Sequence, residues 1–180
     1  MTLANSIKGS GITIVSATYS GDVSQAGTFT SGTGYTPNWL SYDSGIVFST
    51  GTLGAILGPN TNGAQSTNAP GTGTDADFTA LGGNTSFDAS FVTITFVPTS
   101  NKITLQFTFG SEEYNEYVYS TYNDVMGIWV NGTHASVTPD GRPAGIDTIN
   151  QAATYNPANG NQSNDQYPAN GVFDSSYADL

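Results

Sequence analysis

All three glutamates of this chain lie within five residues, in Gly110-Ser111-Glu112-Glu113-Tyr114-Asn115-Glu116-Tyr117, and Tyr122-Asn123-Asp124 follows almost at once. Several carboxylates and amide oxygens set close together, in a chain with no Cys and one His, suit a hard divalent cation. Calcium takes about 6–8 oxygen ligands at roughly 2.3–2.6 Å. The candidate ligands are Glu112, Glu113, Asn123 and Asp124, joined by Asp75 and Asp77 from a long Gly- and Asn-rich stretch upstream. Successive residues of a strand point to opposite sides, so the three glutamates cannot all serve one ion. The competing reading is a solvated, acidic strand end. Tyr114, Tyr117, Tyr119 and Tyr122 crowd the same region; their rigid rings with polar tips suit recognition of peptides or sugars, and strand propensity accounts for them equally well. Trp129, inside an apolar run, reads as core.

Composition narrows the partners. Lys8, Lys102 and Arg142 oppose fourteen acidic residues, a formal charge of -11, which disfavours nucleic acid and anionic membranes and favours cations. The absence of Cys excludes disulfides and thiolate chemistry. His134 alone supports neither a catalytic triad nor a zinc site, and is read as structural or exposed. A glycosidase would need two carboxyl groups about 5–9.5 Å apart across a cleft, which the adjacent Glu112 and Glu113 of a strand do not offer. No phosphate-cradling glycine loop precedes a helix. A non-catalytic binding protein is the expectation.

The elements that must position these groups read as strands. Ile103-Thr104-Leu105-Gln106-Phe107-Thr108-Phe109 alternates apolar and polar, which predicts a strand burying Ile103, Leu105, Phe107 and Phe109 on one face. Further strands are predicted at 11–15, 45–49, 91–96 and 125–130. Pro98-Thr99-Ser100-Asn101 is expected to fold the strand ending at Phe96 onto the one starting at Ile103. Asn131-Gly132 is a two-residue hairpin turn. A short helix is expected over Thr2–Ile7, and the stretches 58–83 and 152–170 read as loops. The sequence thus predicts an all-β, antiparallel fold with long loops and a short N-terminal helix. At 180 residues and 37% hydrophobic content it suits a single domain. No apolar stretch approaches the roughly 20 residues of a membrane span, and no signal peptide is visible, so the chain is expected to be a monomeric module of a longer protein.

The segments Phe107-Thr108-Phe109-Gly110-Ser111-Glu112-Glu113-Tyr114-Asn115-Glu116-Tyr117-Val118 and Tyr122-Asn123-Asp124-Val125-Met126-Gly127-Ile128-Trp129-Val130-Asn131-Gly132 resemble the signature of the choice-of-anchor L domains of bacterial surface proteins. They are also similar to the peptide-binding domains of giant calcium-dependent RTX adhesins. Leu3-Ala4-Asn5-Ser6-Ile7, and Gly45-Ile46-Val47-Phe48-Ser49-Thr50-Gly51 before Gly58-Pro59-Asn60, fit the same family in the same order. The resemblance spans residues 2 to 150. Ile128-Trp129, where the family more often has Phe pairs, and the tail after Gln151 depart from it. It implies an antiparallel β-sandwich with long ligand- and ion-binding loops, and an extracellular adhesin module at a bacterial cell surface, with calcium in the site and short peptides as ligands. Free C-termini of proteins on a host or neighbouring cell fit such a site. Ser111, Tyr114, Tyr117, Tyr119 and Arg142 are the candidate ligand-binding residues, although Arg142, in the turn Pro139-Asp140-Gly141-Arg142-Pro143, has solvation as its simpler reading. A calcium-dependent lectin and a structural spacer or anchoring domain are the alternatives.

Overall fold

The computed structural model describes residues 2–34, 42–56, 66–69, 73–111, 120–137 and 141–148. The chain forms two compact units. Unit 1 comprises Met1–Gly54, Thr67–Thr72 and Asp88–Thr108, and unit 2 comprises Ala55–Ser66, Gly73–Phe87 and Phe109–Leu180. Strands dominate unit 1, and every strand among the described residues of both units is paired antiparallel.

Unit 1 contains α1 (Thr2–Ser6), β1 (Ile12–Ser20), β2 (Ala26–Thr30), β3 (Ser44–Phe48) and β4 (Phe91–Pro98). The predicted N-terminal helix is therefore present, and its Ala4 is fully buried. β1 pairs with β4, and the register slips by one residue between Ile14 and Ser16. This bulge matters because the apolar residues of β1 change phase there. Ile14 faces Phe96 before it, and Ala17 and Tyr19 face Ile94 and Val92 after it, so one side of the ladder stays apolar throughout. Val15 takes up the extra position and is exposed. β2 pairs with β3 from Ala26↔Phe48 to Thr30↔Ser44.

Gln25 fastens unit 1 from within. It is completely buried, and its Nε2 donates to the carbonyls of Thr50 (3.2 Å) and Asp88 (2.7 Å) while its Oε1 accepts from the Asp22 N–H (2.9 Å). Its main chain accepts from Ser49 N–H at 2.9 Å as well. A buried amide with every polar atom engaged is tolerated, and here it ties three chain segments together.

Unit 2 contains α2 (Ala76–Gly82), β5 (Val125–Met126), β6 (Trp129–Val130), β7 (Thr133–His134) and β8 (Ala144–Gly145). β6 and β7 form the hairpin predicted at Asn131-Gly132, with φ of 50° and 78° at the two turn residues. Positive φ at both central positions gives the turn twist that matches paired strands, and Asn-Gly is the pair that adopts it most readily. Phe109, Ala144 and Ile146 form a small core with Met126 packed against it.

Two expectations are corrected. The segment Ile103–Phe109 is not folded onto β4, whose partner is β1; Thr99 instead donates its N–H to Gly11 O at 2.9 Å, carrying the β1–β4 pairing into the turn. Only Phe109 of its apolar row is buried, and Ile103, Leu105 and Phe107 are 42%, 51% and 37% exposed. The period-2 pattern identified which residues share a side but carried no information about which strand would cover them. The second correction is α2, which lies inside the stretch 58–83 read as loop. Among the described residues, no helix is long and apolar enough to cross a membrane.

Candidate functional site

β5 and β8 pair Val125 with Gly145 and Met126 with Ala144. Ile146 donates its N–H to Asp124 O at 3.0 Å, so the ladder runs one step beyond β5, with Asp124 opposite Ile146. Opposed residues of an antiparallel pair lie on one face, and every second residue returns to it. Asp124 therefore shares the side of Met126, Ala144 and Ile146, which is the core side of unit 2. Ser111, 6% exposed and two residues from the buried Phe109, is hydrogen-bonded through its side chain to Asp124.

This arrangement sets the chemistry of Asp124. Solvent still reaches part of the residue, but burial of its carboxyl group pushes the pKa above the ordinary carboxylate value, with the Ser111 hydrogen bond pulling the other way. Desolvation penalises the charged form, and a hydroxyl is weak compensation compared with a cation.

Asn123 is committed in two directions. Its Nδ2 donates to Gly82 O at 3.1 Å, satisfying a carbonyl at the C-terminal end of α2, and its Oδ1 accepts from the Asp147 N–H at 3.2 Å. Asp147 is thereby brought beside Asn123, and sequence reasoning missed it. Its signal was only a lone Asp after an apolar residue in Gly145-Ile146-Asp147, which acquires meaning once the β5–β8 register is known.

Asp75 and Asp77 belong to the other end of α2. Asp75 is the N-cap: its Oδ1 accepts from the N–H groups of Asp77 (2.9 Å) and Phe78 (3.2 Å), and its own N–H donates to Ser86 Oγ at 2.8 Å. Asp77 is exposed in the first turn, where a negative charge suits the helix dipole. Seven helical residues span about 10 Å, so the structure does not bring Asp75 to Asn123, which docks on the opposite end. The cap also supplies the signal that would have found the helix: Asp75 before it, Asp77 in its first turn and Gly83 just beyond it.

Of the remaining candidates, Arg142 is exposed beside Pro143, and Glu112, Glu113, Tyr114, Tyr117 and Tyr119 lie outside the described residues. Trp129 is part-buried and packs edge-on to Phe78 with ring centroids 5.5 Å apart, as the core reading expects, and lies 5.4 Å from His134. Gly127 makes room for this: a Cβ there would collide with the Trp129 ring and come within 3.0 Å of Leu81 Cδ1. His134 has a structural setting, with Nε2 at 2.9 Å from Ser136 Oγ, whose atom also accepts from Ile128 N–H.

Among the described residues no three His, Cys, Asp or Glu side chains converge as a ready ligand group. The groups shown at this position are nevertheless both oxygens, the Asp124 carboxyl and the Ser111 hydroxyl, and in sequence Ser111 leads directly into Glu112 and Glu113. That donor set fits a hard cation and no soft one. Charge is partitioned in the same sense. The stretches that make up unit 2 carry eleven of the fourteen acidic residues and only Arg142 of the three cations, a formal charge of -10, which leaves -1 for unit 1.

No curated protein and no solved structure matches the chain. The family model described as the Choice-of-anchor L domain matches residues 2–178, nearly all of its 180. The chain belongs to the Choice-of-anchor L domain family and is a surface-related, extracellular type of module.

Proposed function

We propose that this chain is a non-catalytic, calcium-dependent module of a bacterial surface adhesin that captures short peptides by their free C-termini. The observation that carries this reading is the Asp124 carboxyl, turned to the core side of unit 2 against Ser111, the residue that immediately precedes Glu112 and Glu113 in sequence. A carboxyl in that position is costly as a bare anion and favourable as a cation ligand. Asp124, with Glu112 and Glu113 beyond Ser111, would hold the ion, and Asn123 and the neighbouring Asp147 frame the strand that presents Asp124. A calcium ion bound there would supply positive charge for a ligand carboxylate that this acidic surface would otherwise repel.

The chain's own residues have separate tasks in this scheme. Ser111 orients the Asp124 carboxyl, and Asn123 locks the Asp124 backbone between α2 and β8 through its bonds to Gly82 and Asp147. Tyr114, Tyr117 and Tyr119 would offer the peptide contact area. Asp75 and Asp77 serve the N-terminal end of α2 in this scheme, at the far end from the Gly82 carbonyl that Asn123 engages.

The test is binding of a short-peptide library, each member with a free and an amidated C-terminus, in millimolar calcium and again in EDTA. Binding that needs calcium and vanishes on amidation is the expected result. Binding in neither buffer overturns the reading, and competition by monosaccharides would transfer the site to glycans.

A further inference from the structure

The segment Lys102–Thr108 has an unusual setting for so apolar a stretch. Ile103, Leu105 and Phe107 are exposed, Thr104 and Gln106 alternate with them, and no described residue makes a backbone hydrogen bond to residues 103–107. No residue from 102 to 110 has positive φ, so nothing in the backbone prevents an extended run. Exposed β-prone segments with open N–H and C=O groups are templates for another strand.

Charge selects the partner. Residues 89–111 contain no carboxylate, in a chain with fourteen acidic residues, and Lys102 is their one charge. The segment belongs to unit 1, which carries a formal charge of -1 against -10 for unit 2. Among the described residues, unit 1 also holds seven of the eleven large hydrophobic residues that are exposed: Val15, Val23, Phe48, Val97, Ile103, Leu105 and Phe107. Of the two units it is the one whose own charge opposes a second copy least. The sequence of the segment is also self-complementary. Antiparallel pairing centred on Leu105 sets Leu105 opposite Leu105, Ile103 opposite Phe107, and Thr104 opposite Gln106, with Lys102 facing Thr108 rather than its own copy. Apolar pairs then share one face and polar pairs the other, which is the arrangement that stabilises a two-strand ladder.

We propose that Lys102–Thr108 is a strand-pairing surface that takes a second copy of this chain, antiparallel and through the same segment. This departs from the monomeric module expected from sequence. It is independent of calcium and of peptide capture, since none of its residues belongs to the Asp124 site. Pairing through so short a segment is weak in solution, and copies tethered on one surface would reach the concentration it needs.

The test is sedimentation of the whole chain in EDTA across roughly 5–200 µM, a range that brackets micromolar association. A monomer–dimer equilibrium is expected. It should tighten as NaCl rises from about 50 to about 300 mM, because salt screens the repulsion between the acidic units. Leu105→Lys places like charges opposite one another and Gln106→Pro removes a ladder N–H. Each should weaken the dimer at least about tenfold while thermal unfolding stays unchanged, and Val137→Lys, an exposed apolar site in unit 2, should have no effect. Hydrogen exchange should show the ladder amides of Thr104 and Gln106 protected only at high concentration. A monomer throughout the range, or a dimer indifferent to both variants, overturns the proposal. So does concentration-independent protection, which would assign the surface to another segment of the same molecule.

Discussion

Replacing Asp124 by Asn separates the two roles assigned to its carboxyl. The substitution keeps the shape, leaves an oxygen to accept from Ser111, and retains the backbone carbonyl used by Ile146. Burial holds the folded-state pKa above the ordinary value of 3.8, so the folded chain grips this proton more firmly than the unfolded chain does. Below pH 3.8 both states are protonated and the group makes no difference. As pH rises from 3.8 through the raised folded value, the unfolded state releases its proton first and stability falls, and above the folded value the deficit is complete. In EDTA at pH 7, Asp124→Asn should therefore be the more stable chain, and the two should converge near pH 3. Calcium should reverse the order. An extracellular-type site with a Kd of about 10⁻⁴–10⁻³ M stabilises the natural chain by about 1.4–2.7 kcal/mol at about 10 mM ion. For a chain of this size that is a rise of roughly 3–11 °C in Tm, and the variant, one carboxylate short, gains less. Scanning calorimetry of both chains at several pH values, with EDTA and with calcium, reads all of this. If Asp124→Asn is the less stable chain in EDTA by the same margin at pH 4 and pH 7, the carboxyl is not desolvated. Equal calcium gains in the two chains would remove Asp124 from the ion shell.

Three further perturbations probe the scaffold. Gln25→Leu keeps the volume but strands the Thr50 and Asp88 carbonyls and the Asp22 N–H; with each orphaned group costing about 1–3 kcal/mol, urea unfolding should show a loss of at least about 3 kcal/mol, and a neutral result would mean that water replaces the amide. Ile146→Ala, at a fully buried position of the unit 2 core, should cost about 2–5 kcal/mol in the same assay, and a cost under about 1 kcal/mol would show that the core collapses around the gap. Asp75→Ala removes the cap of α2 and should cost about 0.5–2 kcal/mol, with Asp75→Asn recovering most of it. An Asp75→Ala chain that keeps full stability but loses its calcium response would return Asp75 to the ion site.

What the sequence made legible depended on how local each signal was. Asn131-Gly132 specifies its hairpin through two backbone angles, and Thr2–Ser6, β1, β3 and β4 follow from short-range periodicity, so these were found. β2 was missed because Ala26-Gly27-Thr28-Phe29-Thr30 has a glycine where an apolar residue would have marked the alternation. α2 was hidden by Gly- and Asn-rich flanks, although its cap residues were in view. The error at Ile103–Phe109 is of another kind. Alternation fixes which side chains share a side, whereas burial depends on a non-local partner, and the bulge at Val15 that lets β1 pair with β4 has no sequence mark short enough to recognise. The Asp124 environment was beyond reach for the same reason: Ser111, Asp124 and Ile146-Asp147 come from three places in the chain, joined by the β5–β8 register and by the Ser111 hydrogen bond.

The uneven distribution of charge connects the site with the scaffold that carries it. Had the acidic residues served only to keep the chain soluble, an even spread over both units would have sufficed, and no carboxyl would need to turn toward a core. Unit 2 instead holds eleven acids against one Arg and directs Asp124 inward beside Ser111. Self-repulsion of that density destabilises a compact state, and each bound divalent cation removes two units of it. Calcium would then act on unit 2 twice, as a ligand for the peptide carboxylate and as the counter-charge that lets the acids stay close. Unit 1, built on the Gln25 clamp and the β1–β4 ladder and nearly neutral, needs no such ion. The stability of the two units should accordingly part company when calcium is withdrawn, with hydrogen exchange rising around Asp124 and Ile146 while the amides of β1 and β4 remain protected. Uniform loss of protection in both units would show that they unfold as one body and that the ion supports the whole chain.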